Sequence, residues 1–116
     1  MKEVLCVDDD ETVRTVLAQL LTSKGHNVSL AKSGAEALAC VNAVRFDVVI
    51  TDSLMPQMTG LELVRHLRSI AYPGKIIVFS GGLSPEAVTA YEALKVDMIA
   101  RKPLGLGGIL ALLQKP

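Results

Sequence analysis

The chain has 116 residues, enough for one hydrophobic core and too few for two. Half of them are hydrophobic, yet no apolar run approaches the ~20 residues of a membrane span, and the acidic opening MKEVLCVDDD is unlike a signal peptide. Twelve Lys and Arg balance twelve Asp and Glu, so a net charge of zero offers nucleic-acid phosphates no attraction, and two Tyr, two Phe and no Trp leave little for bases to stack on. A cytoplasmic protein without direct membrane or nucleic-acid binding is expected.

In chain order, residues 3–7 (EVLCV) predict a short buried strand ending at Asp8. Val13, Val16, Leu17, Leu20 and Leu21 then recur at the i, i+3, i+4, i+7, i+8 spacing of one helix face, with Asp10 as N-cap and Gly25 just past the end. Residues 27–31 predict a second strand. Ser33 with Glu36 has the form of a capping box and opens a helix to about Asn42. Residues 46–51, rich in β-branched side chains, predict a third strand that stops at a carboxylate, Asp52. A helix from Thr59 to Ser69 follows, with Leu61, Val64 and Leu67 inward.

Residues 75–79 (KIIVF) predict a fourth strand running into Ser80, Gly81 and Gly82. Ser84 as cap and Pro85 in the first turn start a fourth helix to about Lys95. Residues 98–101 predict a fifth strand leading to Lys102 and Pro103. The last segment, LGLGGILALLQ, is short helix from near Gly107, because each glycine costs about 1 kcal/mol in a helix interior. Cys6 and Cys40 have no metal or redox spacing and read as buried free thiols. His26 and His66 read as solvated, and Tyr91, in a stripe with Val88 and Leu94, as packing.

Strand and helix thus alternate five times with no linker or repeat. The pattern predicts an α/β fold of flavodoxin-like type, a five-stranded parallel sheet in the order 2-1-3-4-5 with helices on both faces. The five units fill residues 1–116 as one domain, so no effector domain is expected among them. In that order the first and third strands are neighbours, and ligands bind beyond the strand ends where the order reverses. The strand tips carry Asp8 and Asp9 (first), Asp52 (third), Ser80 (fourth) and Lys102 (fifth). The edge strand, the second, ends in Ala31 and offers nothing reactive.

Two like charges ~4 Å apart repel by roughly 4 kcal/mol at an effective dielectric of 20, so three convergent carboxylates need relief. A protonated carboxyl or Lys102 would supply it; a hard divalent cation fits better, and Mg²⁺ takes one or two protein carboxylates and keeps waters. With the charge balanced, an Asp52 oxygen can act as nucleophile toward a phosphoryl group, whose oxygens the metal, Lys102 and the Ser80 hydroxyl would hold.

At these residues the sequence resembles the response-regulator receiver domains of two-component signalling, over essentially all 116 residues. VDDD at 7–10 is similar to the family's acidic pair, DSLMPQMTG at 52–60 to its D-x-x-M-P-x-M-x-G run, FSGG at 79–82 to its hydroxyl residue and ARKP at 100–103 to its Lys-Pro. The resemblance implies that Asp52 is the phosphoacceptor in a phosphorelay and that Asp9, Asp52 and the Leu54 carbonyl bind Mg²⁺ directly, with Asp8 acting through water. It further implies Ser80 as switch hydroxyl, Lys102 as phosphate partner and a cis bond to Pro103. The implied partners are a sensor histidine kinase or phosphotransfer protein and a downstream protein or effector domain, with homodimerisation through helix 4, strand 5 and helix 5. A signalling domain is implied, with no enzymatic activity beyond its own phosphorylation and dephosphorylation. One position departs: where the family usually has Tyr or Phe three residues before the Lys, this chain has Ile99.

Two other functions compete. VLCVDDDET also resembles the D-x-D-x-T run of haloacid dehalogenase-type phosphohydrolases, with Asp8 as nucleophile and Asp10 as acid/base. Residues 103–116 hold none of the acids that family places after its lysine, and Asp52 would be left without a role. A module of the same fold that works without phosphorylation is the other, motivated by Ile99.

Overall fold

The five apolar runs pair edge to edge into one sheet. In the computed structural model, which describes residues 1–103 and 105–114, the strands are β1 (Glu3–Val7), β2 (Asn27–Ala31), β3 (Val48–Thr51), β4 (Lys75–Ser80) and β5 (Met98–Arg101). Their order is β2-β1-β3-β4-β5 and all four pairings are parallel, as the sequence pattern predicts. Parallel pairing forces a crossover after each strand, supplied by α1 (Glu11–Ser23), α2 (Gly34–Ala43), α3 (Gly60–Ser69) and α4 (Pro85–Ala93); α5 (Leu106–Leu113) follows β5. Among the described residues, no helix is long and apolar enough to cross a membrane.

Strand residues alternate between two cores. Leu5, Val7, Val49, Ile76 and Val78 pack with Ala37 of α2, Leu63, Val64 and Leu67 of α3 and Tyr91 of α4. Val4, Cys6, Val48, Ile50, Ile77 and Phe79 face the other way, against Leu17 and Leu21 of α1 and Ile109 and Leu113 of α5. Each fully buried aliphatic side chain contributes about 2 kcal/mol relative to exposure, so the sheet is clamped from both faces and its strand tips are fixed in space. Leu63 joins the core although the Leu61–Val64–Leu67 reading passed over it. Val16, placed in the α1 stripe, is 47% exposed; it borders an apolar groove with Val13 and Leu106.

Helix starts follow the sequence closely. Asp10 accepts the Thr12 amide at 2.9 Å, Ser84 accepts the Ala87 amide at 3.1 Å, and Gly25 takes a positive φ of 89° just past α1. The Ser33 hydroxyl accepts the Glu36 amide, but Glu36 reaches back to the Lys32 amide at 2.9 Å, one residue beyond a true capping box. The reciprocal box is at α3, between Thr59 and Glu62, where the Thr59 amide and hydroxyl hold the Glu62 carboxyl below its usual range. α5 begins without a side-chain cap.

Two further side chains differ from expectation. Cys40 is a free thiol but only half-buried, while Cys6 is fully buried. His26 is buried rather than solvated, because β1 runs alongside the turn it occupies and the Lys2 amide donates to His26 Nδ1 at 3.1 Å. Burial, reinforced by the positive charges of the N-terminus and Lys2, pushes its pKa below 6.5. The neutral ring is therefore favoured on folding. Its contribution to stability is full above pH 6.5 and is lost as pH falls from there toward the lowered folded value. Urea midpoints measured from about pH 8 to about pH 5 should decline more for the wild type than for His26→Asn, whose side-chain oxygen keeps an acceptor without titrating. Parallel pH profiles would sink this account.

Candidate functional site

The parallel sheet brings the tips of β1, β3 and β5 to one place. The Asp8 amide continues the ladder to the Ala31 carbonyl at 3.1 Å, and the Asp52 amide donates to the Val7 carbonyl at 2.9 Å, so both carboxylates leave rigid strand ends. Asp8 is 2% exposed. Its Oδ1 accepts the Asp10 amide at 2.9 Å, turning the chain into α1, and its Oδ2 accepts Lys102 Nζ at 2.8 Å. Arg14 of α1 donates to the Asp8 carbonyl at 2.7 Å. Asp9 is exposed. Asp52 is 8% exposed, with Oδ1 on the Ser53 amide at 2.8 Å and Oδ2 3.5 Å from Lys102 Nζ. Carboxylate oxygens of Asp8, Asp9 and Asp52 all lie within 4.8 Å of one another.

Lys102 follows β5, its amide tied to the Ser80 carbonyl at 2.9 Å and its ammonium 5.9 Å from the centre of the Phe79 ring; the Lys102–Pro103 bond is cis. Ser80 is the last residue of β4 and buried, and among the described residues its hydroxyl makes only a long 3.4 Å contact to the Gly82 carbonyl. Leu54, two residues after Asp52, is 73% exposed. Added methyl groups at Gly81 and Gly82 would meet none of the described residues within 4 Å, which leaves room beside the Ser80 tip. Asp8, Asp9, Asp52 and Lys102 are thus gathered directly, with Ser80 on the next strand tip.

The model of the response regulator receiver domain matches residues 4–114. The chain belongs to that family. It is 38% identical over 109 residues to the response regulator MprA of Mycolicibacterium vanbaalenii, covering 93% of this chain and 47% of the relative, so the chain spans about half the length of the curated relatives it matches. Its backbone is similar to the chemotaxis protein CheY4 of Vibrio cholerae, with a TM-score of 0.89 at 34% identity and 98% and 97% of the two chains covered. It is also similar to the response regulator TrrA of Thermotoga maritima, solved in complex with Mg²⁺-BeF, with a TM-score of 0.87 at 26% identity over 98% and 97%. A receiver domain is a signalling unit of two-component systems rather than a conventional enzyme.

The electrostatics of this receiver centre on Asp52. Burial raises its pKa and the Asp8 charge raises it further, while the Ser53 amide and Lys102 pull part of the way back. Burial alone would lower the pKa of Lys102, but the hydrogen bond to Asp8 and the charges of Asp52 and Asp8 outweigh it and raise it. One ammonium thus leaves the carboxylates under-compensated. Three carboxylates this close, oxygen donors only, suit a hard divalent cation.

Some of the site was not visible in the sequence. The Ser53 hydroxyl lies 2.8 Å from that of Tyr91, which is fully buried. A phenol in a buried helix stripe needs a polar partner, and that was the available signal. At the position of the departure, Ile99 is half-buried, and a cavity of about 140 Å³ opens between it, Ser80 and Val88.

Proposed function

We propose that residues 1–116 form one phosphoacceptor domain that takes a phosphoryl group onto Asp52 from a sensor histidine kinase or phosphotransfer protein and thereby switches its binding of a downstream protein or effector domain. The observation that carries this reading is the geometry at Asp52, a carboxylate on a rigid strand tip with Lys102 at 3.5 Å and two further carboxylates within 4.8 Å. An Asp52 oxygen attacks phosphorus; the P–N bond of the phosphohistidine donor breaks, its electron pair stays on the imidazole, and that nitrogen is protonated from solvent. Lys102 and the Ser80 hydroxyl hold the phosphoryl oxygens. Asp9, Asp52 and the Leu54 carbonyl would bind Mg²⁺ directly and Asp8 through water. When bound, the ion supplies the positive charge that Lys102 alone does not. The complex of the Thermotoga maritima relative with Mg²⁺-BeF supports that choice of metal. The domain acts in the cytoplasm, with α4, β5 and α5 as its homodimerisation face.

Incubation with Mg²⁺ and a small phosphodonor should add one phosphoryl group, mapped by mass spectrometry to Asp52, and chelation of the metal should prevent it. Label on Asp8 would favour the phosphohydrolase reading, against which Asp10 is already engaged as the α1 cap. No label, with no response to beryllofluoride, would favour the phosphorylation-independent module that Ile99 motivates.

A further inference from the structure

Tyr91 is among the largest side chains the fold buries completely. Its place in the α4 stripe accounts for the ring but not for the hydroxyl. Ser53, its partner, is held from three directions: the amide by Asp52 Oδ1 at 2.8 Å, the hydroxyl by Tyr91 at 2.8 Å, and the carbonyl by the Gly60 amide at 2.9 Å. The fit is close, since a methyl group on Gly60 would sit 2.9 Å from both Ser53 Cα and the Tyr91 hydroxyl. The same C-terminal end of α4 is also tied to α3, by Arg68 donating to the Leu94 and Lys95 carbonyls at 2.9 Å each.

We propose that Tyr91 is a positioning residue for the phosphoacceptor: through Ser53 it orients the Asp52 carboxylate, and the same pair of hydrogen bonds carries a change at Asp52 to α4. The proposal rests on Asp52 being the residue modified. Its physical basis is acceptor strength. A hydrogen bond to an ionised carboxylate is roughly twice as strong as one to a neutral oxygen. Once Asp52 is an acyl phosphate, or carries beryllofluoride, the oxygen facing the Ser53 amide loses much of its charge and grips Ser53 less firmly. In a close-packed interior such a shift is passed on rather than absorbed, and the contact that receives it is the 2.8 Å pair with Tyr91. Ile99, at the usual aromatic position, has no polar atom with which to do the same.

The chain has two tyrosines and no tryptophan, and Tyr72 donates to the Phe46 carbonyl at the opposite end of β3, so it serves as an internal reference. Tyrosine isotope-labelled at Cζ, whose NMR shift follows hydrogen bonding of the attached hydroxyl, is to be compared with and without Mg²⁺ and beryllofluoride. The Tyr91 signal should move by more than its linewidth while Tyr72 stays. Ser53→Ala should cut that movement by about twofold or more, as expected for directly coupled groups. Tyr91→Phe should suppress the beryllofluoride-dependent change in amide exchange across residues 85–93 while beryllofluoride still binds. An unmoved Tyr91 signal in a chain that binds beryllofluoride, or an undiminished α4 response in Tyr91→Phe, overturns the proposal and leaves the phosphoacceptor reading standing. Failure of the wild type to bind beryllofluoride overturns both.

Discussion

Asp9→Ala is expected to slow Mg²⁺-dependent phosphorylation of Asp52 by about 100-fold or more, roughly 2.7 kcal/mol at 1.36 kcal/mol per decade, without unfolding the domain. The three carboxylates have different duties. Asp8 has both oxygens engaged, one by the Asp10 amide and one by Lys102, and its carbonyl is held by Arg14. Removing it would loosen the start of α1 and release the lysine. Asp52 is the group to be modified. Asp9 is exposed, and among the described residues its carboxylate supports no element of the fold. It is therefore the acid whose removal reports on the cation alone. Loss of a like charge beside Asp8 and Asp52 also relieves repulsion, so the thermal midpoint should stay level or rise. Phosphorylation is read by mass spectrometry across an Mg²⁺ titration. An unchanged rate at every Mg²⁺ concentration would show that the ion, if needed, is held elsewhere.

The frame of this site could be read from sequence because its parts are local. A run such as VVITD states both the strand and the carboxylate at its tip, and parallel pairing then brings the tips together. Every strand core and the order of the sheet follow from such runs. What escaped depends on which distant segment arrives next to a residue. His26 follows a glycine and reads as solvated; it is buried because residue 2 lies against it, 24 positions away. Ser53 meets Tyr91 across 38 positions, and Arg68 meets Leu94 across 26. Each pair joins residues that are unremarkable where they stand in the chain. The Glu36 reach to Lys32 escaped for a smaller reason, since spacing alone does not say which of two adjacent amides a flexible carboxylate takes.

Gly60→Ala should destabilise the domain by about 3 kcal/mol, at the upper end of what an inserted methyl costs in a packed interior, although alanine is the better helix former. The added carbon would lie 2.1 Å from the Asp52 carbonyl oxygen and 2.9 Å from Ser53 Cα. Both are backbone, so no side chain can swing aside, and the third neighbour is the buried Tyr91 hydroxyl. Relief requires moving either the first turn of α3 or the strand tip that carries Asp52. Phosphorylation of whatever fraction folds should therefore slow as well. Gly107→Ala in α5 is the matched control, since the same methyl there meets none of the described residues within 4 Å. Gly107 lies in the first turn of α5, where replacing a glycine stabilises by at most about 0.5–1 kcal/mol. Urea unfolding of the two variants should give shifts of opposite sign. A Gly60→Ala variant as stable as the wild type would mean that the loop beneath Asp52 yields easily, and a compliant loop could not transmit strain between Asp52, Ser53 and Tyr91.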